Sequence, residues 1–177
     1  MGVPNSTEIS HEGGGGMSVT FFSGKSEHSL DAKCRIFLPQ PIRDKLGEDF
    51  VLSLTGDLRT LCFYPADVWE TRYAKLSVID ETDEEGYEYY RRVLSCTFSI
   101  SPDAQGRVLI PQALRTQFDL KEGGAVVLSG VGNHIELWNA DTFDQSFGSA
   151  IKDRSALVKH VNQTYFSTAA RNEQGDK

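Results

Sequence analysis

One short stretch of this chain occurs twice, and that repetition limits what the whole can fold into. Residues 31–39 read Asp31-Ala32-Lys33-Cys34-Arg35-Ile36-Phe37-Leu38-Pro39, and residues 103–111 read Asp103-Ala104-Gln105-Gly106-Arg107-Val108-Leu109-Ile110-Pro111. Asp, Ala, Arg and Pro recur in register, and three bulky apolar residues separate Arg from Pro in each copy. The match runs on through Gln40 and Gln112, Ile42 and Leu114, Arg43 and Arg115. A second block, residues 61–69, aligns with residues 135–143. The chain is an internal duplication, so each copy must be read as one supersecondary unit.

With 177 residues, the duplication favours two small units over one larger domain. A unit of roughly 50 residues is close to the lower limit for an independent core, so the halves are expected to share a core or the chain to oligomerise. Cys34, Cys62 and Cys96 have neither the number nor the spacing of a disulfide framework or a zinc site, which points to a reducing compartment. The sequence has no secretory leader pattern and no apolar run near the roughly 20 residues that cross a bilayer. A cytoplasmic location without membrane contact is therefore expected. The net charge of −7 argues against a nucleic-acid partner only if it is spread evenly, and it is not. Asp80, Glu81, Asp83, Glu84, Glu85 and Glu88 crowd six acids into nine residues, whereas Lys25, Lys33, Arg35, Arg43 and Lys45 outnumber the acids around the first repeat by two. A local basic face can meet phosphate while an acidic connector points elsewhere.

Residues 1–20 are polar and glycine-rich and read as a flexible extension; the Gly13–Gly16 run before Met17 suggests a translated ribosome-binding site with Met17 as the start. Ordered strand is expected from Val19-Thr20-Phe21-Phe22, followed by Lys25–Leu30 and the repeated turn. In the second copy the Asp and Gly106 suit a hairpin with a left-handed closing residue. The return strand runs Arg107–Ile110, and Pro111 opens a short helix. Leu114 and Phe118 lie four apart on it, as do Ile42 and Leu46 in the first copy. Gly47 is the expected stop. Residues 50–54 and 125–128 read as strands, then come turns at Asp57 and Asn133 and final strands at 60–64 and 134–138. Asp67 with Glu70, and Asp141 with Asp144, signal helix starts. A further helix is expected from Thr82, with Glu85 completing the cap and Tyr87, Tyr90 and Leu94 on one face. Residues 153–165 place Leu157, Val158, Val161 and Tyr165 at helical spacing, and the last dozen residues read as frayed. Short strands with many open edges invite two copies to interleave into a closed barrel.

Nothing in the sequence supports catalysis. His11, His28, His134 and His160 lie far from any triad or metal-ligand pattern, and no phosphate loop or nucleophile elbow is present. His134 reads as a surface or edge residue. Cys34, flanked by Lys33 and Arg35, has the basic neighbours that activate a thiol but lacks a general base, so a plain solvated turn residue is the simpler reading. The Asp-x-x-x-Arg pair suggests something else. An Arg placed just after a rigid turn can offer its planar fork to phosphate or to guanine, with the Asp holding it. The alternative is that Asp31 and Asp103 only form turns and the arginines make surface ion pairs worth about 0–1 kcal/mol.

These residues carry a resemblance. Phe22-Ser23-Gly24, Leu30-Asp31-x-Lys33-x-Arg35 with Leu38-Pro39, Asp103-x-x-Gly106-Arg107-Val108-Leu109-Ile110-Pro111 and Ile135-Glu136-Leu137-Trp138 are similar to the MraZ family of bacterial transcriptional regulators, over about residues 20–147. The resemblance implies a β-rich α+β chain in which two tandem AbrB/MazE-like swapped-hairpin units form a pseudo-symmetric β-barrel with flanking helices. It places the first unit at 21–65, a helical connector at 66–95, the second unit at 96–140, and C-terminal helices and tail at 141–177. It further implies a ring-shaped homo-oligomer, nucleoid-associated, that binds double-stranded DNA with short tandem repeats upstream of the cell-division and cell-wall gene cluster. No cofactor, metal or small-molecule substrate is implied. Carried over by position, the DNA-contacting residues are Asp31, Lys33, Arg35, Asp103 and Arg107. The family has Gly where this chain has Cys34, so the first turn is expected either to hold a left-handed Cys, strained by roughly 1 kcal/mol, or to take another shape. Lys33 against Gln105 makes the first unit the stronger expected phosphate binder. The competing reading is an antitoxin-like protein-interaction module of the same type, binding its partner through the tail.

Overall fold

The computed structural model describes residues 21–152 and 154–166. The expectations about residues 1–20, including Val19, Thr20 and Met17, and about Asp153 and the last eleven residues lie outside them. Among the described residues, eight strands and six helices follow in order: β1 (Lys25–Ser29), β2 (Arg35–Phe37), α1 (Gln40–Leu46), β3 (Phe50–Leu54), β4 (Leu61–Pro65), α2 (Ala66–Leu76), α3 (Glu84–Ser95), β5 (Phe98–Ile100), β6 (Arg107–Leu109), α4 (Gln112–Gln117), β7 (Ala125–Val131), β8 (His134–Asn139), α5 (Ala140–Lys152) and α6 (Arg154–Val161). A π-helical turn, Asn162–Phe166, follows α6. The chain is of mixed α+β class and rich in strand. Among the described residues no helix is long and apolar enough to cross a membrane.

The strands pair across the duplication. Six form one antiparallel sheet in the order β1-β7-β8-β4-β3-β5, and β2 pairs with β6 in a separate ribbon. The first strand of one copy thus lies beside the third strand of the other: β1 on β7, with Lys25 opposite Ser129, and β5 on β3, with Ile100 opposite Phe50. At the middle, β4 meets β8 with Leu61 opposite Leu137 and Phe63 opposite Ile135. Since Leu61 matches Ile135 and Phe63 matches Leu137 in the duplication, this register is two-fold symmetric about Cys62 and Glu136. Reciprocal pairing satisfies backbone groups that a single copy would leave as open edges. The expected closed barrel does not form, because β1 and β5 remain the edges of an open sheet.

Alternation explains the core. Ile36, Leu38, Leu52, Leu54, Leu61, Phe63, Val108, Ile110, Leu128 and Leu137 are buried in one cluster drawn from both copies, so neither copy has a core to itself. Phe50 meets Phe63 edge-on at 5.6 Å between ring centroids, a favoured aromatic geometry. All of β3 and β4 is buried on both faces, because α2 and α3 cover the side away from that core. Tyr64 takes Trp69 at 5.8 Å and the Arg72 guanidinium at 5.5 Å, and Tyr89 on α3 donates its hydroxyl to the Gly56 carbonyl at 3.0 Å.

Several local expectations need correction. Phe22 makes only an isolated bridge to Gly132; the first strand starts at Lys25, past the left-handed Gly24. Pro39 and Pro111 occupy the N-cap positions. Helix α2 starts at Ala66, with Asp67 inside its first turn and no side-chain cap. Asn139 rather than Asp141 caps α5, its Oδ1 accepting from the Thr142 amide at 3.2 Å. The cap of α3 is Asp83, whose Oδ1 accepts from the Gly86 amide at 3.1 Å, whereas Thr82 is tied back to Asp80. A Cβ at Gly86 would collide with the Asp83 carboxylate in its capping position. The α3 residue sealed against the sheet is Val93 rather than Leu94, while Tyr87 and Tyr90 stack on one another at 5.7 Å. His134 stands in an interior strand, its ring tilted against that of Tyr64 at 4.9 Å between centroids.

Candidate nucleic-acid interface

The two repeated turns have the same geometry. In the first, the Asp31 amide donates to the Arg35 carbonyl at 2.9 Å and the Cys34 amide to the Asp31 carbonyl at 2.8 Å; in the second, Asp103 to Arg107 and Gly106 to Asp103 give 2.9 and 2.8 Å. Each aspartate then works as a clamp. Asp31 Oδ1 accepts from the amides of Lys33 and Arg35 at 2.8 and 2.9 Å, and Asp103 Oδ1 from those of Gln105 and Arg107 at 2.9 and 3.0 Å. The second oxygen of each holds the guanidinium, Arg35 Nε at 2.8 Å and Arg107 Nε at 2.9 Å. One carboxylate therefore fixes both the loop and the direction of its arginine.

The turns sit side by side because β2 and β6 pair. Arg35 faces Leu109, Ile36 faces Val108 and Phe37 faces Arg107, and the Leu38 and Ile110 amides donate to the Gly106 and Cys34 carbonyls at 3.0 and 3.3 Å. Ile36 and Val108 point into the core with no exposure. By strand alternation Arg35, Phe37, Arg107 and Leu109 share the outer face. Four of the five carried-over residues, Asp31, Arg35, Asp103 and Arg107, thus form one cluster, with Lys33 exposed on the adjoining turn.

Cys34 does not reshape its turn. Its φ is +56° against +75° for Gly106, so it accepts the left-handed strain. It is buried, with 6% exposure, which corrects the expectation of a solvated thiol. Arg43 Nε donates to the Leu38 carbonyl at 3.0 Å, and its guanidinium lies so close over Gly106 that a Cβ there would stand 2.8 Å from Nε. The matching Arg115 of the second copy has its Nε buried with no hydrogen-bond partner among the described residues. Arg43, Arg115, Phe37 and Leu109 were all visible in the repeat. Their roles were not, since those depend on which strand meets which.

The clusters differ electrostatically. Arg35 reaches both carboxylates, with Nη2 2.6 Å from Asp31 Oδ2 and Nη1 3.1 Å from Asp103 Oδ2. Among the described residues Arg107 is paired with Asp103 alone, and its side chain is the more exposed, 30% against 21%. Hydrogen bonding to the Arg35 side chain, and then to its amide, holds the Asp31 carboxyl down to about 2. Asp103 is lowered first by the Arg107 amide. A depressed folded value means that the stabilisation by Asp31 is complete above its ordinary value of 3.8 and is lost as pH falls through about 2. A carboxyl titration followed by NMR should find Asp31 titrating near 2; a midpoint at the ordinary value would show that the clamp is open in solution.

Among the described residues no group of three or more His, Cys, Asp or Glu side chains is placed to hold a metal ion. What the cluster offers is two oriented guanidinium groups on a rigid ribbon.

The family model described as "MraZ protein, putative antitoxin-like" matches twice, over residues 21–87 and 93–160. A protein of Roseiflexus castenholzii named "Transcriptional regulator MraZ" is 36% identical over 145 residues, covering 82% of this chain and 99% of that one. Proteins of the same name from Acetivibrio thermocellus and Clostridium tetani are each 33% identical, over 79% and 80% of this chain and 96% and 97% of theirs. With its clamped turn present twice and both halves matched in tandem, the chain belongs to the MraZ family.

Proposed function

We propose that this protein is a sequence-specific DNA-binding transcriptional regulator, acting on the cell-division and cell-wall gene cluster that includes its own gene. The names of its relatives support transcriptional regulation, and a family of regulators is not an enzyme class. The observation that carries DNA binding is the paired clamp: two arginines, each aimed by an aspartate, on one exposed ribbon. Arg35 and Arg107 read bases, while Lys33 and the arginines meet phosphate. Asp31 and Asp103 act by positioning.

The exchange of β1 and β5 between copies supports the swapped-hairpin description, with units at 21–65 and 96–140, the connector at 66–95 and C-terminal helices at 141–177. A homo-oligomeric ring, cytoplasmic and nucleoid-associated, would carry several such ribbons and sum weak contacts over short tandem DNA repeats. Its assembly is supported by the apolar residues Phe147, Leu157, Val158 and Val161, which are exposed in the single chain. A mobility shift with the duplex upstream of its own coding sequence should show retention that falls steeply with salt; equal retention on unrelated DNA would remove the claim of specificity.

The second reading, an antitoxin-like interaction module, is favoured by the same C-terminal residues together with Tyr165 and Phe166, which are also exposed. Recovery of a small ribonuclease in a pull-down that requires Tyr165 and Phe166 would support it.

A further inference from the structure

The outer face of the β2–β6 ribbon is a checkerboard. Arg35 and Arg107 occupy one diagonal, Phe37 and Leu109 the other, and each apolar residue is the direct cross-strand partner of an arginine. Phe37 is 49% exposed and Leu109 55%. Their neighbours Ile36, Leu38, Val108 and Ile110 are fully buried, so the core is already filled without them. Two large apolar side chains at matching positions in both copies, set on a face that also carries the guanidinium groups, form a composite surface that is both cationic and apolar. The edges of DNA bases supply the matching chemistry. A two-stranded ribbon fits the major groove, which is about 12 Å wide. There, guanine offers O6 and N7 to an arginine fork, and thymine offers a methyl group to an apolar side chain.

We propose that Phe37 and Leu109 are specificity residues that contact thymine 5-methyl groups beside the bases read by Arg35 and Arg107. This rests on the DNA-binding reading above and adds a base preference to it. The two-fold relation of the checkerboard sets the spacing. Phe37 borders Arg107 and Leu109 borders Arg35, so each apolar contact belongs next to the base read by the other copy's arginine. The aromatic ring and the branched chain are unequal in size, and Phe37 makes the larger contact.

The test compares the duplex upstream of the chain's own coding sequence with the same duplex carrying deoxyuridine in place of thymine. That change removes the methyl groups and leaves Watson–Crick pairing intact. Wild-type protein is expected to bind the deoxyuridine duplex more weakly, by about threefold to fivefold for each methyl lost from contact. Phe37→Ala should weaken binding to the thymine duplex by a similar factor, show a smaller loss on the deoxyuridine duplex than wild type, limited to what Leu109 still contacts, and keep the wild-type salt slope. Leu109→Ala should do the same to a smaller degree. Both sites are exposed, and unchanged thermal unfolding of each variant is the check on folding. Equal wild-type affinity for the two duplexes overturns the inference, as does full retention of the thymine preference by Phe37→Ala. A change in oligomeric state with an unaltered preference also overturns it, by assigning the face to contacts between copies. Absence of any salt-dependent retention by wild-type protein would instead bring down the DNA-binding reading itself.

Discussion

Replacing Arg35 by alanine is expected to abolish specific DNA binding while leaving the fold intact. Loss of a bidentate base contact alone costs about 1–3 kcal/mol per site. The location of Arg35 adds to that loss. Its guanidinium is shared between Asp31 and Asp103, so removing it leaves two carboxylates facing a polyanion with one of their cations gone. Arg107→Ala uncovers less, because Asp103 keeps Arg35 as a partner, and it should weaken binding to a smaller extent. Both residues lie at the surface of the ribbon, where ion pairs contribute little to stability, so thermal unfolding should stay close to wild type. Titration of promoter duplex at fixed salt is the measurement; unchanged affinity of the Arg35 variant would remove this residue from the interface.

The second large effect is expected at a glycine near the end of β7. The Gly130 amide donates to the Gly24 carbonyl at 2.8 Å, and a Cβ at 130 would run into the backbone of Phe22 and Ser23. A backbone cannot rotate aside as a side chain can. Gly130→Val must therefore push the segment before β1 off the sheet and expose Phe22, which is now 2% accessible. Overpacking costs about 1–3 kcal/mol, and the lost burial of a phenylalanine costs about 1.5–3 kcal/mol more. Against a typical total of about 5–15 kcal/mol, the melting temperature should fall by about 10 °C. Gly148, which has nothing within 4 Å of its would-be Cβ, supplies the control: Gly148→Ala should melt at or slightly above the wild-type temperature.

The repeated turn was legible because its parts are local. An Asp that bonds amides two and four residues on, and an Arg four residues on, need only nine residues of chain, and both copies obey the rule. The strands were legible for the same reason, from alternation. Their partners were not. Alternation states which residues face inward but carries no record of which edge lies alongside, so an interleaved arrangement could be foreseen but not whether it would close. The helix starts show a smaller version of this gap. Thr82 and Asp83 are adjacent and both are good capping residues, so the residue pattern alone does not separate them. Cys34 could be flagged as a departure, yet whether it would keep the left-handed turn of Gly106 could not be read from the sequence.

The unequal turns have one more consequence, which concerns direction. Two separate identical chains meeting across a two-fold axis would have to present two identical turns, and they would suit a DNA site that reads the same on both strands. Here the two turns belong to one covalent chain, and Lys33 with Cys34 faces Gln105 with Gly106 across the axis. Turned end for end, the ribbon presents a different surface. If it binds DNA as proposed, it distinguishes the two orientations of its site, so a row of sites would have to run head to tail rather than as mirrored pairs. Covalent duplication has kept the symmetric scaffold while giving the reader a polarity.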